Sequence, residues 1–308
     1  MTTTTNTSTT DRPSTGNGQM LALVNTPAGP DPAALRTVPE PVAAPDEAIV
    51  AVHAFSLNRG ELALLANRPE GWRPGQDIAG MVATPAADGS GPRAGTHVVG
   101  LVEGAGWAQR VAVSVSRLAT LPDRVSFAAA ATLPMAGLTA LRTLRLGGAL
   151  LGRRVLVTGA TGGVGTFAVQ LARHAGARVT GVRTAAQAPD EMFDLILESV
   201  GGASLTAAMR RIAPDGTIVV FGNSSNEDAS LNLYQFFGHE GARMQTFFSY
   251  ASGTPESVGA DLDLLVSLTI DGALVPQIGA ELNWRDLGQV VSTLRDRKIT
   301  GKAVLHVD

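Results

Sequence analysis

Residues 153–182, "RRVLVTGATGGVGTFAVQLARHAGARVTGV", carry the most chemistry in the chain. A buried strand runs into a glycine-rich turn, an amphipathic helix follows, and a second strand closes at Val182. Gly162 and Gly165 hold the second and third positions of G-x-G-x-x-G, with Ala160 in place of the first. Gly162 lets the backbone approach a diphosphate, and Gly165 lets helix and strand pack closely. The helix start at Gly163 and Val164 offers free N–H groups and the positive end of a dipole. In this strand–turn–helix setting the pattern implies a dinucleotide site. Arg183 follows the second strand about 20 residues past the turn, and no acid precedes Asp190. A basic residue there pairs with a 2′-phosphate, so any nucleotide bound is expected to be NADP(H); the competing reading is a solvated arginine at a strand end.

Other reactive groups are few. Cysteine is absent, which excludes disulfides, thiolate nucleophiles and cysteine-bound zinc. His53, His97, His174, His239 and His306 show no paired spacing, so no metal is expected. Tyr234 and Tyr250 are the only phenols. Either offers a proton to a carbanion, Tyr250 being the candidate catalytic one, and either equally suits packing or an interface. With 44% hydrophobic and 17% charged residues, 308 residues can bury a sizeable core in two domains. A net charge of −3 gives no electrostatic reason to expect nucleic acid or an anionic membrane, leaving a small molecule as partner. No apolar run reaches transmembrane length and the N-terminus lacks signal-peptide character, which implies a cytoplasmic protein. Only two of the 24 basic residues are lysine, Lys298 and Lys302, and this reads as genome composition rather than chemistry.

The elements that must position these groups fall into an α/β arrangement. Residues 1–18 lack apolar periodicity and read as a disordered tail. Short apolar runs broken by Pro and Gly then describe a mainly antiparallel, barrel-like substrate domain over 19–133, rejoined by 272–308. "FAAAATLPMAGLTALRTLRLGG" reads as one helical run, and the strand–helix alternation after it signals a Rossmann-like parallel sheet over 134–271. The C-terminal stretch reads as one helix followed by "KAVLHV", which alternates as a half-buried edge strand.

Several ordered pieces resemble the medium-chain dehydrogenase/reductase superfamily, and within it the zinc-independent quinone and enoyl reductases. They are "SLNRGELALLANRP", "RPGQDIAGMV", "GWAQRVAVS", "AAATLPMAGLTALRTL", "VLVTGATGGVGTFAVQLA", "FDLILESVGG", "GTIVVFGN" and "GKAVLHV", spread over residues 20–308. Where zinc-dependent members carry a G-H-E box, this chain has Gly75, Gln76 and Asp77, so the resemblance implies no catalytic zinc and leaves Asp77 as a structural carboxylate satisfying loop N–H groups, the competing reading being a catalytic acid. It also implies that Asn58 lies on the substrate side, where it could donate to a carbonyl oxygen or merely cap a loop, and that Thr139, Gly222, Asn223 and Phe247 lie near the nicotinamide. Homodimers are the family expectation, with "RMQTFFSY" as the strand that ends the sheet and pairs with its copy.

One departure from the family is large. Only ten residues separate Val182 from Phe193, whose strand "FDLILES" matches the family's fourth. In the order 3-2-1-4-5-6 a helix and strand 3 belong between them. The crossing spans about 20 Å, whereas ten extended residues reach roughly 33 Å, so the deletion is feasible and leaves strand 2 at the edge. Cofactor-flanking structure goes with it. Two functions are therefore expected to compete: NADPH-dependent reduction of a quinone or electron-poor alkene with a large apolar part, or a cofactor-free, redox-neutral cyclisation, rearrangement or dehydration. The second would use a cleft walled by Trp72, Trp107, Phe247, Phe248 and Tyr250 to fold a hydrophobic substrate, such as a specialised metabolite.

Overall fold

The computed structural model describes residues 18–29, 31–248 and 257–308; the tail at 1–17 and Tyr250 lie outside them. The chain begins with a hairpin, β1 (Gln19–Asn25) on β2 (Ala33–Pro39). β3 (Glu47–Leu57), α1 (Arg59–Asn67), β4 (Asp77–Thr84), β5 (His97–Leu101), β6 (Arg110–Ser114) and β7 (Leu118–Thr120) follow. α2 (Phe127–Ala131) and α3 (Pro134–Arg145) lead into β8 (Arg154–Val157), α4 (Gly163–His174), β9 (Arg178–Gly181) and β10 (Phe193–Glu198). The chain continues through α5 (Gly202–Met209), β11 (Ile212–Val220), β12 (Arg243–Thr246) and α6 (Val258–Ile270), and closes with β13 (Ile278–Asn283), α7 (Leu287–Arg295) and β14 (Lys302–His306).

β3 is the spine of a seven-stranded, mainly antiparallel sheet ordered β13-β14-β3-β4-β5-β7, with β6 also on β3. Ala48, Val50, Val52 and Ala54 are buried at every second position, as a one-faced strand requires. Phe55, Ser56 and Leu57 break the alternation because β14 pairs along that end, Ala303 opposite Leu57. The closing strand thus lies between β13 and β3 rather than at an edge, buried on both faces through residues 302–305. The true edge, β13, runs parallel to β14, and its polar sequence "IGAELN" hides it from a search for apolar alternation. The long helical run after Ser126 is also two helices. Pro134 has no N–H to continue α2 and instead occupies the first turn of α3.

The second sheet is entirely parallel, ordered β12-β11-β10-β8-β9. Set against 3-2-1-4-5-6 it lacks strand 3 alone, and β9 is an edge, as the ten-residue spacing predicts. The crossing chain is not a bare tether. It forms one 3₁₀ turn at Ala185–Gln187 and buries Ala185 and Ala188 against a core containing Leu156, Phe193 and Ile196, while the Ala185 N–H donates to Ser204 Oγ on α5 at 2.9 Å. Small side chains let it lie close to the sheet where a helix would stand.

Candidate active site

The glycine turn has the compactness a diphosphate requires. A Cβ at Gly165 would stand 2.2 Å from the Gly159 carbonyl oxygen, so only glycine lets α4 start this close to β8. Gly162 caps α4, and the N–H groups of Val164 and Gly165 have no backbone acceptor among the described residues. Thr158, just before the turn, hydrogen-bonds through Oγ1 to buried Glu198 at the end of β10. Burial pushes the Glu198 carboxyl upward, while hydrogen bonds from Gly201, Ser204, Thr158 and Val200 pull it back. Arg183 lies against the same turn: its carbonyl accepts from Gly159 at 3.1 Å, and its exposed side chain has no partner among the described residues.

Opposite the turn is a dry polar cluster. Asp77 opens β4 with no exposure at all. Its Oδ1 accepts from the Met135 N–H in the first turn of α3 at 2.8 Å, and its Oδ2 accepts from Ser56 Oγ at 2.7 Å, Asn58 Nδ2 at 2.8 Å and Lys302 Nζ at 3.1 Å. None of its four partners is a loop N–H: three are side chains and the one backbone donor lies in a helix, because Asp77 is buried between β3, α3 and β14 rather than under a loop. Lys302, 3% exposed, spends its other two hydrogens on the Leu57 carbonyl, at 2.9 Å, and on Asn58 Oδ1. Asn58 is gripped at both ends of its amide, and its backbone N–H donates to Glu61 Oε2 at 2.8 Å in the capping box of α1. Glu61 is 1% exposed, and its Oε1 has no partner among the described residues. Burial, and then the charge of Asp77, push its carboxyl from 4.5 up to about 8, against the opposing pull of the Asn58 N–H and Lys302. With its carboxyl pushed up to about 8, Glu61 is a neutral acid at neutral pH and lies beside the Lys302–Asp77 ion pair.

Gly301 and Lys302 join the two halves. The Gly301 N–H donates to the Thr161 carbonyl at 2.8 Å, and Gly162 and Gly301 form a parallel bridge. Gly301 adopts a φ of 77°, a conformation natural to glycine, and so carries the chain from the turn into β14. Lys302 was a missed site residue. Its one signal is a lysine inside an otherwise apolar strand, which needs a buried partner.

The remaining candidates scatter. Thr139, on α3, is buried and donates to the Met135 carbonyl at 2.6 Å. Gly222 lies on Ser199, whose carbonyl oxygen would be 3.1 Å from an added Cβ, and the Asn223 amide folds into its own loop, donating to the Glu227 carbonyl at 3.2 Å. Phe247 is core, hydrogen-bonded through its N–H to Val220, and neighbouring Phe248 is exposed. Trp107 does not wall a cleft. It is fully buried in the core of the antiparallel sheet and stacks on Phe55 at 5.4 Å, because the Gly75 backbone packs directly against it. Trp72 is half-buried beside the same core beneath the Arg68 guanidinium, 5.8 Å from its ring.

Known proteins share this fold. The zinc-binding dehydrogenase family model matches residues 173–305. The chain is 32% identical to the spectinabilin polyketide synthase system protein NorB of Streptomyces orinoci over 89% of its own length, although it spans only 14% of that protein. It is 26% identical to acryloyl-coenzyme A reductase of Metallosphaera sedula, covering 63% of this chain and 62% of the relative, and 36% identical to a chloroplast envelope quinone oxidoreductase homolog of Arabidopsis thaliana over 46% and 48%. Among solved structures, CurK enoyl reductase superposes with a TM-score of 0.81 at 20% identity, covering 94% of this chain and all of that one. A mycobacterial protein complexed with NADPH gives 0.79 at 21% identity over 94% and 100%. The parallel sheet with its glycine turn, the antiparallel sheet and these relatives together make the chain a member of the medium-chain dehydrogenase/reductase superfamily.

Proposed function

We propose that the protein is an NADPH-dependent reductase of an electron-poor alkene or quinone with a large apolar part. The observation that carries this reading is the intact turn, with its Gly165 contact and open Val164 and Gly165 N–H groups, facing the Asn58 cluster across Gly301. Val164 and Gly165 would hold the diphosphate at the start of α4, and unpaired Arg183 would meet a 2′-phosphate. When bound, NADPH supplies a hydride, and a proton from solvent completes the reduction. Asp77 engages one Asn58 amide hydrogen; the other donates to the substrate carbonyl as negative charge develops. Lys302 and Asp77, both buried, fix that half-buried amide, so it need not reorganise during reaction. The Asp77 carboxylate already has four protein partners, which supports zinc independence.

Two of the relatives, acryloyl-coenzyme A reductase and the quinone oxidoreductase homolog, carry redox activities in their names, which supports the reductase over the redox-neutral alternative. A homodimer through β12 belongs to the same proposal: β12 ends its sheet, and Leu233, Tyr234, Phe237, Met244 and Phe248 are exposed on and around it. Among the described residues no helix is long and apolar enough to cross a membrane, consistent with the cytoplasmic small-molecule enzyme proposed. The test is titration with NADPH and NADH, followed by tryptophan quenching and nicotinamide fluorescence. Micromolar NADPH binding is expected, with enones, enoyl thioesters and quinones then screened as acceptors. No binding at millimolar NADPH would overturn the reading.

A further inference from the structure

We infer that Lys302 is a positioning residue that couples the nucleotide turn to the substrate-side amide of Asn58. The inference rests on the proposed reductase reading and adds a communication between its two subsites. Three contacts carry it. The Lys302 stem lies on the first residue of α4, so that a Cβ on Gly163 would stand 2.8 Å from Lys302 Cδ. Its backbone neighbour Gly301 is bonded to the turn at Thr161. Its ammonium has no hydrogen to spare, because Leu57 O, Asn58 Oδ1 and Asp77 Oδ2 take all three.

A displacement of the turn therefore cannot be absorbed by rotating the ammonium freely. It must pass along the stem to the amide that Nζ holds, in an interior packed too densely to relax locally. Asp77 makes the route selective: it holds both Lys302 and the other end of the same amide, so the stem's position sets the orientation of Asn58. Lys298, the chain's other lysine, shows the contrast, pairing with Asp296 in the open, where a salt bridge contributes little.

The experiment follows the Asn58 side-chain amide by NMR in protein labelled with ¹⁵N-asparagine, the signal assigned by its loss in Asn58→Asp. In nucleotide-free protein, Gly163→Ala, which presses on the stem while keeping the charge, should shift the Asn58 signal and leave those of Asn25 and Asn67 in place. An unmoved Asn58 signal would overturn the coupling, whatever nucleotide binding shows. In the unmodified chain, saturating NADPH should shift the same signal. In Lys302→Met that shift should vanish while the NADPH Kd stays within about threefold. An equal shift in Lys302→Met, or binding without any shift in the unmodified chain, would also overturn the inference. If Lys302→Met fails to fold, Lys302→Arg replaces it, and a full NADPH-induced shift with the bulkier head group likewise counts against coupling through a fitted stem. Failure of NADPH to bind, with the Gly163→Ala shift intact, removes the reductase reading and leaves the mechanical link standing.

Discussion

The two sides of the site are built from different physics. The turn side is backbone: Gly159, Gly162 and Gly165 close it by the absence of side chains, and Val164 and Gly165 present N–H groups. The Asn58 side is charge held away from water, with Asp77, Lys302 and Glu61 between 0% and 3% exposed and each hydrogen-bonded to another part of the cluster or its backbone. The first fails when atoms collide and is indifferent to pH. The second tolerates no unpaired partner and must respond to protons. The same contrast explains why strand 3 could be lost: it removes flanking material but leaves the turn's own atoms in place.

The largest effect is expected on the charged side. Lys302→Met leaves Asp77 buried without its ammonium and should destabilise the fold by about 3–5 kcal/mol in urea unfolding. Restoring most of that stability with Asp77→Asn in the same chain would confirm that charge is the cause; independent, additive losses would not fit.

The pH response should come next. The Glu61 carboxyl sits near 8 in the fold against 4.5 ordinarily, so the folded chain keeps a proton that the unfolded chain releases. That contribution is fully present below 4.5 and is lost as pH rises through about 8. Unfolding free energy should fall by a few kcal/mol across this window, and Glu61→Gln should flatten the slope. A slope unchanged in Glu61→Gln would assign the proton elsewhere.

On the steric side, Gly165→Ala is the sharpest probe. Alanine ordinarily favours a helix over glycine by roughly 0.5–1 kcal/mol, but a Cβ 2.2 Å from a carbonyl oxygen must move backbone. The net result should be destabilisation of about 1–3 kcal/mol, independent of pH, with NADPH affinity falling at least about tenfold. A stabilised variant would show that the turn yields. The smallest effect is Arg183→Ala, expected to weaken NADPH about tenfold and NADH by less than about twofold, with no change in melting temperature. Equal losses for both nucleotides would remove the 2′-phosphate role.

Legibility in the sequence follows this division. The turn announces itself because steric demands fix residue identity within one contiguous strand–turn–helix. The missing strand is equally plain, since ten residues cannot contain a helix and a strand. The charged cluster was only half visible. Asn58 and Asp77 stood out by resemblance, but Glu61 read as an ordinary residue of its segment, and Lys302 as one of two scarce lysines. Trp107 misled, because a tryptophan's composition does not say whether it faces a cleft or Phe55.

By itself the sequence determined the local geometry at residues 158–165 and the deletion between β9 and β10, because each depends on chain length or on sterics among near neighbours, while the order of the parallel strands came from resemblance to the family. Only the tertiary structure decided that β14 enters the first sheet between β13 and β3. That placement brings Lys302 to Asn58, 244 residues away in the chain, and gives Asp77, Glu61 and the turn a common partner. Charges find their meaning in what buries them, and burial here is the work of β3, α1, β4, α3 and β14, five elements that meet only when the chain folds.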